Sequence, residues 1–165
     1  MKRVIVLGID CGIAITGWAI ISSIKQHRRK PQMKVLDYGV IQTKSNEKLA
    51  KRLVSLYEAL CSIIHSVKLD SVAIESLFYF KNQKTIMSVG QARGVALLAC
   101  AQKPLPIYDY TPLQVKQSVT GYGKASKQQV QIMVKNLLKL KELPRPDDAA
   151  DALAIAVCHL HTHSW

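Results

Sequence analysis

The 165 residues are enough for one domain spanning 1–165 and leave little room for two. Because 48% of the residues are hydrophobic and 21% are charged, the composition is globular and excludes general disorder, and no stretch reaches the roughly 18 apolar residues of a membrane span. Lys and Arg number 23 against 11 Asp and Glu, so the formal net charge is +12, which points to a polyanionic partner such as nucleic acid.

The N-terminal part of the chain predicts three strands joined by short connections. The apolar run at 3–9 indicates a buried strand, and residues 14–23 and 33–43 follow as the second and third strands. The polar, basic segment 24–32 between them is typical of a hairpin loop. The first run meets Asp10 too early for a signal-peptide core, so we expect a cytoplasmic protein.

The pattern then changes to alternating helices and strands. Apolar residues from Leu49 to Val67 recur at four- and three-residue steps, which predicts an amphipathic helix. Residues 71–77 and 106–109 predict the fourth and fifth strands, and 82–101 a second helix. That helix carries small residues that allow close packing, either inside the fold or across a dimer: Gly90, Ala92, Gly94 and Ala96.

Three further helices complete the predicted fold. Thr111 and Pro112 begin the third helix as its N-cap and first turn. A glycine-containing loop at 120–125 precedes a helix from about residue 126 to 139, and the last helix runs from about 146 to 161. The order predicts an α/β fold in which an antiparallel three-stranded meander is extended by parallel strands. The mixed five-stranded sheet is flanked by helices on both faces.

Several of the few acidic residues fall where a site is expected. Asp10 and Glu75 end the first and fourth strands, and α/β folds place their sites at the carboxyl ends of strands. Asp148 and Asp151 are three residues apart near the start of the last helix and therefore share one face. Taken singly, each acid could be a turn residue, a partner for lysine or a helix-start acid. Asp147 could reach the same face, because it is four residues from Asp151.

Taken together, these carboxylates favour a metal site. Carboxylates brought together repel one another unless cations lie between them. Hard divalent cations with oxygen ligands, chiefly Mg²⁺, meet that need, and Mn²⁺ is the natural substitute. Two such ions about 3.5–4 Å apart activate water and stabilise the leaving oxygen in phosphodiester cleavage. A basic surface around an acidic centre thus indicates a metal-dependent nuclease.

Short motifs along nearly the whole chain resemble those of one family. They are Gly8-Ile9-Asp10, Ala73-Ile74-Glu75, Gln91-Ala92-Arg93-Gly94-Val95-Ala96, Gln114-Val115-Lys116-Gln117, Gly121-Tyr122-Gly123 and Asp148-Ala149-Ala150-Asp151-Ala152-Leu153-Ala154. In this order they resemble the RuvC family, the bacterial Holliday-junction resolvases. The resemblance implies an RNase H-like fold and Mg²⁺-dependent endonuclease activity that resolves four-way DNA junctions by paired cuts in recombination and repair. It also implies a homodimer that works with the RuvA–RuvB branch-migration complex.

The resemblance also assigns the catalytic, metal-binding carboxylates. The four acidic positions of the family fall on Asp10, Glu75, Asp148 and Asp151, and the motif selects Asp148 over Asp147, a choice that spacing alone leaves open. Cys11 departs from the family, which usually has proline after the first aspartate. Because neighbours on a strand point to opposite faces, we do not expect Cys11 to be a metal ligand.

Lysines and aromatic residues supply candidate DNA contacts. Lys116, Lys124 and Lys127 flank the glycine-containing loop, where small residues let a backbone approach phosphate. The alternative is a solvated loop. The resemblance matches Lys116 and Lys127 to DNA-binding lysines, and it selects Phe78, which follows the fourth strand, as a residue that stacks on a base. The alternative for Phe78 is core packing.

The cysteines are not expected to bind metal, and for the C-terminal histidines incidental binding of nickel or zinc is the alternative to a plain polar tail. Cys11, Cys61, Cys100 and Cys158 contain no C-x-x-C pair, which argues against a zinc knuckle or a disulfide framework, and the last three are predicted to be buried thiols. The alternating histidines do not share one helical face, and we expect a frayed, polar tail there. They are His159, His161 and His163.

Three other functions remain open at this point. An actin-like or sugar-kinase ATPase also begins with Gly-Ile-Asp, but that fold clamps nucleotide between two duplicated domains, which 165 residues cannot supply. A basic DNA-binding module with an inert acidic pocket would bind junctions without cutting them. An RNA-processing nuclease of the same fold would use the same metal chemistry.

Overall fold

Five strands form one mixed sheet. The computed structural model describes residues 2–25, 31–76 and 83–163. Its strands are β1 (Lys2–Asp10), β2 (Ile15–Lys25), β3 (Gln32–Gln42), β4 (Ser71–Glu75) and β5 (Ile107–Tyr110). They lie in the order β3-β2-β1-β4-β5, with β1, β2 and β3 antiparallel and with β4 and β5 parallel to β1. The predicted meander with its parallel extension is confirmed.

The five predicted helices are also present. They are α1 (Leu49–Ser66), α2 (Gln83–Ala101), α3 (Pro112–Thr120), α4 (Lys127–Leu137) and α5 (Asp147–Thr162). α4 ends earlier than the predicted residue 139, because Leu138 caps it and Lys139 turns to a positive φ of 54°. Among the described helices, none is long and apolar enough to span a membrane.

Side-chain caps fix where α3 and α4 begin. Thr111 and Ser126 each accept a hydrogen bond from the backbone N–H three residues on, and Gln114 and Gln129 reach back to the two cap N–H groups. These reciprocal capping boxes satisfy N–H groups that a helix start leaves free. Gly121 ends α3 in the left-handed region, with a φ of 77°, where glycine is favoured.

Helices cover both faces of the sheet. α1 and α2 bury Leu56, Leu60 and Ala96 against Leu7 and Ile9 of β1. The opposite face of the sheet carries Val4, Val6 and Ala19 under α3, α4 and α5. The alternation along β1 places Asp10 on the same face as Val4 and Val6, the face that α5 covers. The strand that ends in Asp10 is thereby brought against the helix that carries Asp148 and Asp151.

The prediction for the C-terminal histidines was wrong. His159 lies within α5 and is fully buried, with Nε2 2.9 Å from Ser71 Oγ and Nδ1 2.6 Å from Tyr110 Oη. His163 stacks on the His159 ring, and His161 lies beside α3. The prediction considered the faces of an isolated helix, whereas the end of α5 packs over β4 and β5, which supply polar partners.

The cysteine predictions hold in part. Cys100 and Cys158 are buried, whereas Cys61 is only half-buried. All four cysteines are free thiols, in agreement with the absence of a disulfide framework. Cys11 packs on the α1 and α2 side of the sheet, opposite the face that holds Asp10, as strand alternation predicts.

Candidate active site

Two carboxylates end adjacent parallel strands. Ile9 of β1 pairs with Ile74 of β4, so the next residues, Asp10 and Glu75, stand side by side at the carboxyl edge of the sheet. Neighbouring strands are about 4.8 Å apart. Both side chains are half-buried, and the apolar runs before them anchor their backbones in the core. The sheet therefore fixes half of the predicted acidic site.

Glycines bring the start of α5 onto the same edge. Gly17 of β2 pairs with Asp10, and a Cβ atom added to Gly17 would lie 1.9 Å from the carbonyl oxygen of Asp148. A Cβ atom added to Gly8 would lie 2.3 Å from the carbonyl oxygen of Ala152. Only glycine permits such an approach, so the backbone of α5 rests directly on β1 and β2. This contact delivers Asp148 to the neighbourhood of Asp10.

The electrostatics show that the carboxylates act on one another. Burial, followed by the charges of Glu75, Asp151 and Asp148, raises the pKa of Asp10 to about 7. Burial and the charge of Asp151 raise the pKa of Glu75 to about 7. Burial also raises the pKa of Asp151, although Lys127 opposes that shift. The structure thus gathers all four predicted acids into one field of mutual repulsion.

Lys127 at the start of α4 brings a positive charge to this group, as Lys116 of α3 does toward Glu75. Lys127 Nζ lies 3.0 Å from Asp151 Oδ2 and 3.4 Å from Asp147 Oδ2. Burial lowers the pKa of Lys127, but the hydrogen bond and charge of Asp151, with those of Asp147, outweigh burial and raise it. Lys127 therefore offsets part of the negative charge of this group.

The neighbours of Asp147 separate it from Asp148. Gln131 Nε2 donates a 2.9 Å hydrogen bond to Asp147 Oδ1, and this bond, with the charge of Lys127, lowers the pKa of Asp147. Asp147 is exposed and faces α4. Asp148 is half-buried, and its charge contributes to the raised pKa of Asp10. Asp148 therefore belongs with Asp10, as the motif indicated.

A cavity of about 200 Å³ joins the acids to two of the predicted lysines. Its polar lining consists of Glu75, Asp151, Lys116 and Lys127. Apolar residues such as Val115, Val130 and Ala154 form the rest of the wall. Lys124 is exposed in the turn before α4 and lies outside this lining. Phe78 lies outside the described residues.

The donor atoms suit a hard cation. The four acids offer only carboxylate oxygens, the ligands that Mg²⁺ and Mn²⁺ prefer. Among the residues that the structure describes, no three His, Cys, Asp or Glu side chains are already grouped closely enough to hold an ion. Burial and the charge of Asp10 raise the pKa of the Cys11 thiol far above its usual range, so this side chain stays neutral. The chemistry of the acids fits a hard metal ion, and that of Cys11 does not.

Sequence analysis missed two residues that shape the site. Arg93 of α2 donates through Nε to the carbonyl oxygen of Glu75 at 3.4 Å and forms an ion pair with Asp109. It thereby ties the ends of β4 and β5 together. Arg93 lay within a quoted motif, and Gly17 is a glycine inside a strand, which itself signals close backbone approach. Neither the motif that contains Arg93 nor the strand glycine at position 17 indicated which residue each of them contacts.

Comparison with known proteins gives matches along nearly the whole chain. The family model described as "Crossover junction endodeoxyribonuclease RuvC" matches residues 6–159. The protein of that name from Caldicellulosiruptor saccharolyticus is 57% identical over 159 residues, covering 96% of this chain and 93% of the relative. Its counterpart from Clostridioides difficile is 48% identical, covering 96% and 91%.

Solved structures agree with these sequence matches. Thermus thermophilus RuvC is 34% identical with a TM-score of 0.86, covering 95% of this chain and 93% of its own. The same protein in complex with Holliday junction substrate is 34% identical with a TM-score of 0.87, covering 96% and 93%. The yeast mitochondrial Holliday junction resolvase Ydc2, at 15% identity and a TM-score of 0.66, shares the fold over 94% of this chain and 78% of its own.

Proposed function

Because this chain belongs to the RuvC family of crossover junction endodeoxyribonucleases, we propose that it resolves four-way (Holliday) DNA junctions during recombination and repair. It has the RNase H-like fold of its solved relatives, one of which was solved with a Holliday junction substrate. We assign the activity to a single nuclease domain over 1–165, acting in the cytoplasm. The observation that carries the proposal is the gathering of four acids beside a lysine-lined cavity in a chain of this family.

Asp10, Glu75, Asp148 and Asp151 are the proposed catalytic carboxylates and metal ligands. Bound Mg²⁺, two ions per site with Mn²⁺ as a substitute, would activate the attacking water and stabilise the leaving oxygen of the phosphodiester. The support comes from the repulsion among these acids, which raises the pKa of both Asp10 and Glu75 to about 7. Divalent cations would relieve that repulsion and complete the approach of the carboxylates.

The lysines of the cavity bind and orient the DNA. Lys116 and Lys127 line the same cavity as Glu75 and Asp151, so a phosphate bound by either lysine lies beside the acids. Lys127 would exchange its ion pair with Asp151 for a phosphate, which frees that carboxylate for metal. Lys124, exposed in the preceding turn, adds charge along the backbone. Phe78 is proposed to stack on a base at the junction.

The partners follow from the substrate. Resolving a four-way junction needs cuts on two strands, and each chain carries one set of four carboxylates. Two chains related by a two-fold axis are the simplest way to make both cuts, so we propose a homodimer. We also propose that it works with the RuvA–RuvB branch-migration complex, as the family resemblance implies.

Asp10→Asn tests the metal site. The substitution keeps the shape of the side chain and removes a charge that would hold the ions. We expect cleavage of a four-way junction in Mg²⁺ to fall by roughly 100-fold or more, because the reaction loses its activated water. Junction affinity should change little, because lysines and shape carry the binding. Cleavage rate and dissociation constant are measured on the same labelled junction.

Asp37→Asn is the matched control. Asp37 is an exposed aspartate of β3 away from the site, and asparagine can still accept the hydrogen bond that Asp37 Oδ1 takes from the Tyr38 N–H. This variant should cut like the wild type. An Asp10→Asn protein that cuts at the wild-type rate would remove Asp10 from the metal site.

A further inference from the structure

A second, larger depression lies away from the acids. It is an open groove of about 830 Å³ between β3 and the connection from α4 to α5. Tyr38 and Leu140 form its apolar part and pack against the core, while Lys135, Lys141 and Arg145 supply its charge. We call it the basic groove. None of these residues lines the catalytic cavity.

The basic groove carries a net positive charge. Its lining contains three cations and one acid, Glu142, which leaves a surplus of two positive charges. Within 2–25, 31–76 and 83–163, no salt bridge is formed by Lys135, Lys141 or Arg145. Lys141 and Arg145 are exposed, and Lys135 is half-buried at the end of α4. Such a surface favours a polyanion.

The basic groove borders a depression that one of the four acids also lines. A third depression of about 480 Å³ shares Leu143 and Arg145 with the basic groove. Its other end is lined by Asp148, one of the four acids, and by Asp147 with its partner Gln131. Arg145 and Leu143 thus lie between the basic groove and the depression that reaches Asp148.

The spacing along α4 sets the distance. Lys127, Gln131 and Lys135 are four residues apart and share one face of the helix. Lys127 pairs with Asp151, Gln131 lines the middle depression, and Lys135 lines the basic groove. From Lys127 to Lys135 the helix rises about 12 Å at 1.5 Å per residue. Duplex DNA covers that distance in three to four base pairs, at about 3.4 Å each.

We propose that the basic groove binds the sugar–phosphate backbone of the duplex arm three to four base pairs beyond the cut. The inference rests on the proposed function and extends it to a second point of contact. Lys135, Lys141 and Arg145 hold the phosphates, and the arm is thereby aligned with the acids. Because phosphate contacts position DNA without reading sequence, the groove acts on every arm alike.

A charge-matched pair of double variants tests the groove. Lys135→Ala/Lys141→Ala removes two cations of the groove. Arg3→Ala/Lys68→Ala removes two exposed cations away from the groove: Arg3 lies about 23 Å along β1 from Asp10, and Lys68 lies in the connection that precedes β4. Junction affinity is measured against salt concentration. We expect the groove variant to lose about 1 to 2 from the slope of log K against log salt, at about 0.9 per phosphate contact, and the control to keep the wild-type slope.

Uncharged methylphosphonate linkages, placed where the DNA normally has phosphates, locate the contact on the DNA. Methylphosphonates are placed on both strands of each arm, either three and four or eight and nine base pairs from the cut. The near set should weaken binding by the wild type more than binding by the groove variant, in which only Arg145 of the three groove cations remains. The far set should affect neither protein.

The outcomes separate this inference from the proposed function. A groove variant with the wild-type salt slope, or equal loss of affinity by both proteins on the near set, would overturn the inference and leave junction cleavage standing. Cleavage by the wild type in Mg²⁺ is recorded on the same unmodified junctions. If the salt and methylphosphonate effects appear and no cleavage does, the groove is supported and the nuclease assignment fails.

Discussion

The raised pKa of Asp10 makes the free energy of unfolding depend on pH. Its pKa of about 7, against an ordinary 3.8, means that the folded chain binds the proton more tightly than the unfolded chain does. The free energy of unfolding without metal therefore falls as pH rises from about 4 to about 7. Glu75 adds to this effect in the same direction. Repulsion among these acids therefore lowers the stability of the metal-free fold at neutral pH.

His159 shifts in the opposite sense. Burial, with the charge of His163, lowers its pKa from 6.5 to about 4, so the folded chain holds a neutral imidazole. Between those two values the unfolded chain binds more protons, and stability is lost as pH falls from about 6.5 to about 4. His159→Gln should remove about 2 to 3 kcal/mol of that acid sensitivity, at about 1.4 kcal/mol per pKa unit. Denaturant unfolding at pH 7 and pH 4.5 measures it.

The matched control for His159 is His65. It is exposed on α1, where its Nδ1 lies 2.6 Å from the Cys61 carbonyl oxygen, and His65→Gln shows what the loss of one surface histidine does to the free energy of unfolding at the same two pH values. His159→Gln will also lower stability at pH 7, because Ser71 and Tyr110 lose their partner. The quantity to compare is therefore the change in the free energy of unfolding between pH 7 and pH 4.5. If His159→Gln shows the same change in unfolding free energy between the two pH values as the wild type, His159 is not a buried neutral histidine.

For single residues, the sequence predicted which side chains carry chemistry better than it predicted which residues they contact. Asp10 and Glu75 stand out because each acid interrupts an apolar run at a strand end. The burial of His159 was not predictable from its own helix, because its partners come from Ser71 and Tyr110, more than forty residues away in the chain. The contact of Arg93 with the Glu75 carbonyl is likewise set by packing between elements.

Among the elements, α5 determines whether the site exists. Its backbone lies on Gly8 and Gly17, and it is buried without a break from Ala152 to Leu160. Strands and capped helix starts were predictable, because apolar runs and the capping pairs at Thr111 and Ser126 are local signals. The contact of α5 with Gly8 and Gly17 could not be predicted from local sequence, because it depends on how β1 and β2 pair.

Gly17→Ala tests the contact between Gly17 and the backbone of α5. The added Cβ would meet the Asp148 carbonyl oxygen at 1.9 Å, which is backbone and cannot swing aside. We expect a loss of about 1 to 3 kcal/mol of stability by overpacking. Cleavage should fall by about 100-fold, because the first turn of α5 is displaced from Asp10. Thermal unfolding and junction cleavage are measured on the same preparation.

Gly39→Ala is the control for Gly17→Ala. Gly39 lies on the neighbouring strand β3, and its added Cβ would meet the Trp18 ring at 3.3 Å, a side chain that can shift by a few tenths of an ångström. Its cleavage should stay close to that of the wild type. If Gly17→Ala cuts as fast as Gly39→Ala, close contact between Gly17 and α5 is not needed to place Asp148.

Across the whole molecule, α2 offers the face on which two chains could meet. Ala92 and Ala96 of the predicted small-residue patch pack inside the core. Gly94 faces open space, and on the same side Met87 and Leu98 are 69% and 57% exposed. The small-residue helix thus packs internally on one face and leaves another face free. We propose that free face as the homodimer interface, with Gly94 allowing close approach.

Mixed dimers test the symmetry of the reaction. If each chain makes one cut, dimers of wild-type and Asp10→Asn chains should yield mainly singly nicked junctions. Dimers of wild-type chains should yield paired nicks within one binding event. The products are resolved on denaturing gels after a single turnover. Paired cuts by a protein shown to be monomeric would contradict the two-chain arrangement.

Cleavage of a labelled four-way junction in Mg²⁺, beside matched duplex, single-stranded and RNA controls, tests the central claim most directly. We predict paired cuts near the crossover that yield two nicked duplexes, with no comparable cutting of the controls and none without divalent metal. Tight binding of the junction without cleavage under any divalent metal would contradict it. That result would leave a basic DNA-binding module with an inert acidic pocket.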